Sequence, residues 1–459
     1  MENSNRRLAP TLLAFIALVC AAGCSGSSST PAPVIDSLGP TSGIATTTVL
    51  VAGSNFGLSQ DQSIVSIGGV LATPTSWSDT AIAFDVPDAV YPSVAEVVVT
   101  VGGKTSNPTS FDVALPRTVY VNQDDTTANS VAAFSLADDG TPTELAGSPY
   151  PTGDVSAGFV GDASSVTVNR ATRRVFATSN ATVAVYDIDP VTGELAAVSG
   201  SPFSSGGSQS YGITVNAAGT RAFVANCGDG TVSVLNVDAD GGLTPVAGSP
   251  FAVSSNCPDT PQLLQGETLL TVTDELSNVS VFQVDAGSGA LTAVTGSPFA
   301  AGFAGRGSRA DPSGTWLYFP DPTDGTLHVY AFAATSGVPA EIAGSPFASG
   351  STGGTLGGVA FPPDGARAYV GNFDLNEVVA FSVSGGAPTP VTGSPFEVAG
   401  ATAMTSLAVA RDDSLLVAAD EDSVTLSVFS IGADGSIAPV TGSPFAADIG
   451  SASGVSIGE

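Results

Sequence analysis

Gly248-Ser249-Pro250-Phe251 stands near the middle of the chain, and the same tetrapeptide begins at Gly147, Gly200, Gly248, Gly296, Gly344, Gly393 and Gly442, with Tyr for Phe in the first copy. The copies are spaced by 53, 48, 48, 48, 49 and 49 residues. A period of this length means stacked units of supersecondary structure, each burying its faces against its neighbours. The unit around Gly248 supplies the pattern. Gly212-Ile213-Thr214-Val215 reads as strand A, and Ala217-Ala218-Gly219-Thr220 as a turn. Arg221-Ala222-Phe223-Val224-Ala225 reads as strand B, Asp229-Gly230 as a loop, Thr231-Val232-Ser233-Val234-Leu235 as strand C and Leu243-Thr244-Pro245-Val246 as strand D. Four short strands per repeat predict the blade of a β-propeller.

The ends of the repeat region predict ring closure. The first copy begins at Arg117-Thr118-Val119-Tyr120-Val121, which has the pattern of a B strand. The last copy is followed by Ser453-Gly454-Val455-Ser456-Ile457, an A strand without successors. Together they complete one blade and remove the open sheet edges that a linear array would expose. Residues 117–459 number 343, or 49 per blade for seven blades. Proline has no amide hydrogen for a ladder and belongs on an edge, so the motif is expected on the outermost strand, with its aromatic packed between blades. Its sevenfold recurrence marks it as scaffold.

Residues 34–115 read as a separate, smaller β-sandwich. Short alternating runs such as Ile64-Val65-Ser66-Ile67 and Glu96-Val97-Val98-Val99-Thr100-Val101 are punctuated by Gly, Pro, Asn and Ser. The segment carries Ile35, Leu38, Pro40, Gly43, Gly53-Ser54-Asn55-Phe56-Gly57, Gly68-Gly69, Ala72, Ser76-Trp77-Ser78 and Val86-Pro87. On these residues it resembles the IPT/TIG immunoglobulin-like family, which implies a spacer or interaction module. It has no cysteine pair, so its core is expected to hold by packing alone.

The N-terminus predicts export. Arg6 and Arg7 precede an apolar run over residues 8–22, too short for a comfortable membrane span. The run ends in Ala21-Ala22-Gly23-Cys24, which resembles a bacterial lipobox and implies cleavage after residue 23 and lipidation of Cys24. Ala21 stands where lipoproteins favour Leu, and a signal peptide cleaved without lipidation is the alternative. Residues 24–33, rich in Ser and Pro, form a flexible tether. The expected address is membrane-anchored and exported, at the outer membrane or cell surface, with the periplasmic side as the alternative.

Of the 459 residues, 42 are Asp or Glu and 12 are Lys or Arg, giving a formal net charge of -30. Clustered cations that would engage phosphates are missing from this composition, which excludes nucleic acid as a partner. With 43% hydrophobic residues the chain has ample surface to bury and is not an acidic disordered segment.

Period, strand pattern and motif together resemble the YVTN/lactonase-like family of seven-bladed propellers, over about three quarters of the chain. That family includes 6-phosphogluconolactonase-type hydrolases and many non-enzymatic surface proteins. The resemblance implies a functional face formed by the B-to-C and D-to-A loops around the channel mouth. The B-to-C loops are acidic, with Asp274 and Asp321 among their carboxylates and only the loop at Asn180 without one. Such a ring has the chemistry to gather Ca²⁺ or a cationic partner; the same residues also serve as ordinary turn formers. No other cofactor is expected. Arg306 and Arg309 lie between the Gly296 and Gly344 copies, at a D-to-A loop and inner strand, where two guanidiniums would hold a carboxylate or phosphate, the alternative being that they pair with the nearby acidic loops. Arg174, Arg221 and Arg367 recur after the A-to-B turn and read as scaffold on the opposite face.

The resemblance also implies acid/base groups at the channel mouth, but the one histidine, His328, falls in a C strand, away from the channel. Asn236-Val237-Asp238-Ala239-Asp240-Gly241 mimics a calcium loop, lacks the closing Glu (Ala247 is there) and sits where each blade has its C-to-D hairpin. Cys227 and Cys257 fall in a B-to-C loop and the following D-to-A loop, on one face, and predict a disulfide in an oxidising compartment. The leading expectation is a lipid-anchored, all-β protein whose propeller binds an unidentified protein, glycan or small-molecule ligand. The alternative is a lactone hydrolase.

Overall fold

The computed structural model describes residues 31–459 apart from 157–164, 254–256, 275–277, 302–306, 352–353, 399–403, 421–423, 448 and 451. The chain is all-β: an Ig-like sandwich followed by a seven-bladed propeller. Among the described residues there is no α-helix, and no helix is long and apolar enough to cross a membrane.

In the sandwich, one sheet pairs Val34–Gly39, Thr48–Ser54, Ala81–Asp85 and Pro74–Trp77 in that order. The other centres on Ser93–Val101, flanked by Thr109–Val113 and Ile64–Ile67. Alternation places Val49, Val51, Val65, Ile67, Ile82, Phe84, Val97, Val99 and Phe111 in a dry interior. The Gly-Ser-Asn-Phe-Gly signature has a steric basis. A Cβ at Gly53 would sit 2.0 Å from the Val34 carbonyl oxygen, and the Phe56 ring beside it is fully buried. The Trp77 indole donates to the Phe56 carbonyl (3.0 Å), tying the two signature stretches together.

Each blade orders its strands D-C-B-A from rim to axis. In the blade around Gly248 these are Leu243–Pro245, Thr231–Val237, Arg221–Asn226 and Ser210–Val215, close to the ranges expected from the sequence. The repeated tetrapeptide does not simply lie on strand D; it interrupts that strand. Strand C pairs with Leu243–Pro245 at one end and with a two-residue continuation, Phe251–Ala252, at the other. Between them the chain bulges outward. Gly248 adopts φ 89°, a left-handed conformation that glycine reaches without the Cβ penalty. The bulge would leave the amide of Val234 on strand C unpaired, and Ser249 Oγ accepts from it at 2.9 Å. The same serine-to-strand bond recurs in all seven blades, at 2.9 to 3.0 Å. Phe251 then packs in the cluster shared by its own blade and the next, so glycine, serine and aromatic each have a separate structural task.

The closing blade is built from both ends of the repeat region: Ala452–Gly458 pairs antiparallel with Thr118–Gln123 and forms its strand A. With this as blade 1, Arg309–Ala310 is the inner strand of blade 5. The arginines after the A-to-B turns reach across to the C-to-D hairpin of the following blade. Arg174 donates to the carbonyls of Asp238 and Ala239 and pairs with Asp187; Arg221 donates to Asp285, Ala286 and Gly287. Arg367 holds Ala433 and Asp413 likewise. The Asp238 hairpin has its carboxylate turned onto its own amides at Asp240 and Gly242.

Candidate functional site in the propeller channel

Seven inner strands surround the axis in chain order, and their backbones approach closely. A Cβ at Gly212 would lie 2.3 Å from the Asp259 carbonyl oxygen, one at Gly307 2.8 Å from Gly358 Cα, and one at Gly454 2.4 Å from Ser165 Oγ. Arg309 sits on this innermost ring. Two hydrogen bonds to blade 4 bracket it: Ser308 Oγ meets Thr273 Oγ1 (3.2 Å), and the Ala310 amide donates to Gln262 Oε1 (3.2 Å). Arg309 is exposed to solvent, yet desolvation lowers the pKa of its guanidinium. An exposed side chain on the innermost strand is placed next to the propeller axis. Among the described residues no carboxylate contributes to the shift of Arg309.

Arg306 lies outside the described residues, as does Cys24. The expected pairing of Arg309 with a second guanidinium therefore rests on Arg309 alone.

The carboxylates require a correction. Asp274 and Asp321, expected to present their oxygens to a ligand, are 1% and 5% exposed. Asp274 accepts from the Asn278 amide and side chain (2.9 and 3.0 Å), closing its own loop. Asp321 accepts from the amide and hydroxyl of Thr323 and faces His328 Nε2 at 3.7 Å. The pattern extends around the ring: Asp229 holds Ser208, Asp374 holds Thr355, Glu377 holds Ser351, and Asp124 holds Ser156. The physical reason is local. An Asp at the end of a strand finds loop amides and hydroxyls within a few residues, or in the adjacent D-to-A loop, and they satisfy it before any ligand does. Among the described residues no three His, Cys, Asp or Glu side chains gather to hold a metal.

His328 lies on strand C of blade 5, its Nδ1 against Glu341 Oε1. It is thus held between two carboxylates on the blade, and the channel does not include it. Cys227 and Cys257 are joined in a disulfide that ties the B-to-C loop of blade 3 to the D-to-A segment entering blade 4.

One set of residues was missed in the sequence. The end of strand B carries a buried polar residue in most blades: Asn122, next to last in its strand, and Thr178, Asn226, Asp274, Asn372 and Asp420 in the last position. Asn226 donates to Thr231 and Ser233, and Asn122 to the Ser165 and Thr178 carbonyls. Two of the set are carboxylates, Asp274, described above, and Asp420. Asp420 Oδ2 accepts from Thr425 and Ser427, Oδ1 has no hydrogen bond among the described residues, and burial pushes its pKa up to about 6. Aligning the repeats on Gly-Ser-Pro-Phe would have exposed this polar column.

A family model described as lactonase, 7-bladed beta-propeller matches residues 152–447, and one described as IPT/TIG domain matches residues 33–113. No curated protein matches the chain significantly. Among solved structures, a candidate 6-phosphogluconolactonase of Bacteroides uniformis is similar at a TM-score of 0.62 and 16% identity, covering 74% of this chain and 99% of its own. The periplasmic gluconolactonase of Pseudomonas aeruginosa is similar at a TM-score of 0.61 and 18% identity, covering 75% and 99%. A Lactobacillus plantarum protein gives 0.58 and 16%, over 75% and 99%. At these identities the likeness is one of fold.

Proposed function

Because the chain belongs to the lactonase family of seven-bladed β-propellers and carries an IPT/TIG domain ahead of the propeller, we propose that it is an exported, lipid-anchored binding protein that takes a small anionic ligand at the channel through Arg309. The observation that carries this reading is an exposed arginine on the innermost strand of blade 5 with no ion pair among the described residues. In a chain this acidic, a cation left unneutralised on the axis attracts an anion that the surrounding field would otherwise repel. The carboxylates that could have served as a general base are bound into their own loops, and His328 is held between Asp321 and Glu341. Those commitments favour binding over hydrolysis.

Lactone hydrolysis is the second reading, favoured by the family match itself. Calorimetry with gluconate and 6-phosphogluconate, alongside a sugar-lactone turnover screen, separates the two on wild type and Arg309→Ala. Binding without turnover in the wild type, lost in the variant, is expected. Robust wild-type turnover that vanishes in Arg309→Ala overturns the binding reading in favour of the enzyme, and undiminished anion affinity in the variant overturns the role of Arg309.

A further inference from the structure

The Ig-like domain is joined to the propeller without a flexible linker. Its last strand, Thr109–Val113, is followed by Ala114, whose amide donates to the Gly43 carbonyl (2.9 Å). Leu115, 2% exposed, packs in the core between blades 1 and 2, and Thr118 then opens strand B of blade 1. The domain thus emerges from the blade whose sheet is assembled from both ends of the propeller sequence.

It also touches the blades on either side of that one. Toward blade 7, Arg411, in the A-to-B turn, pairs with Asp112 of the Ig-like domain (2.5 Å). Toward blade 2, Arg173 donates to the Asp88 carbonyl (2.5 Å), and its guanidinium lies 4.0 Å over the Tyr91 ring. Beneath these contacts runs a second layer of charge. Arg117, just ahead of strand B of blade 1, pairs with Glu459, just beyond strand A of the same blade, and with Asp412 of blade 7 (2.5 Å). Glu459 also accepts from the Arg411 amide (2.5 Å). Arg411 therefore belongs to both layers: its side chain reaches the Ig-like domain, and its backbone holds the residue that ends the closing strand.

We propose that the Ig-like domain is a clasp across the seam at which the propeller closes, gripping blades 7 and 2 and thereby holding the closing strand Ala452–Gly458 against Thr118–Gln123. Strand A of blade 1 has no hairpin joining it to strand B, so its register and its resistance to local opening rest on contacts made elsewhere. Three attachments, at blade 7, at blade 2 and through Leu115, restrict that opening. All the contacts lie on the A-to-B turn face, so the clasp leaves the loop face and the channel mouth uncovered.

The test is hydrogen exchange read by mass spectrometry on the full mature protein. The variant Tyr91→Ala/Asp112→Ala removes the ring under Arg173 and the carboxylate held by Arg411 from the Ig-like side and leaves the propeller sequence untouched. Exchange across 118–123 and 452–458 is expected to accelerate about tenfold or more, with blades 3 to 5 unchanged. Raising NaCl from about 0.05 M to about 1 M on the wild type weakens the exposed pairs and is expected to accelerate the same two segments selectively. Arg221→Ala, which removes a hairpin contact remote from the seam, is expected to leave them unaffected. Unchanged seam exchange in both the variant and high salt overturns the proposal, as does acceleration spread evenly over all blades.

Discussion

Ser249 Oγ stands 2.9 Å from the amide nitrogen of Val234, in the gap where strand D leaves strand C. Val234 is fully buried, so removing the hydroxyl leaves a donor without water or partner. Ser249→Ala is expected to cost about 1–3 kcal/mol, the desolvation penalty of one orphaned amide. Equivalent substitutions at Ser297 or Ser443 are expected to cost the same within a factor of two. Denaturant titration of the three variants checks this, and a neutral effect at all three sites would contradict the structural role.

Removal of the Cys227–Cys257 bond releases a loop closed over a separation of 30 residues. The chain-entropy relation gives a loss of about 3–4 kcal/mol. Stability with and without reductant, compared with Cys227→Ser/Cys257→Ser, measures it; two free thiols found by mass mapping of the native protein would remove the premise.

Asp420 is expected to make the propeller less stable as pH rises through the weakly acidic range. Its pKa is about 6 when folded, against an ordinary value of 3.8. Between about pH 4 and pH 6 the folded state holds a proton that the unfolded chain has released, so stability falls as pH rises across that window. Asp420→Asn keeps an oxygen to accept from Thr425 and Ser427 and abolishes the titration. At pH 7 it is expected to stabilise by about 1–3 kcal/mol. Unfolding at pH 4 and pH 7 decides the matter: the gain must be present at pH 7 and largely gone at pH 4.

Cys24→Ser is expected to move the protein from the membrane to the soluble fraction, since the tether over residues 24–33 holds no other attachment chemistry. Mass analysis of the mature N-terminus reports the lipid directly. An acylated, membrane-bound product from the variant would place the anchor elsewhere.

The propeller was legible because its information is periodic: seven tetrapeptides set the register, and the closing strand followed from what the first and last copies lacked. The Ig-like fold was legible from Gly53 to Gly57, where the steric demand is local. For the candidate site, the repeat register placed Arg309 at an inner strand, and the structure has it there. Asp274 and Asp321 misled because a turn carboxylate and a ligand-facing carboxylate have the same sequence signature, and only the donors at Asn278 and Thr323 tell them apart. Arg411 and Asp112 are 299 residues apart, and no pattern in the chain connects them.

Glycine at positions 212, 307 and 454 lets neighbouring blades approach closely around the axis. At each of these sites atoms of the adjacent blade occupy the volume that a methyl group would need. A larger residue at any of the three would have to displace those atoms, so the close approach of neighbouring blades around the axis depends on three residues that carry no side chain.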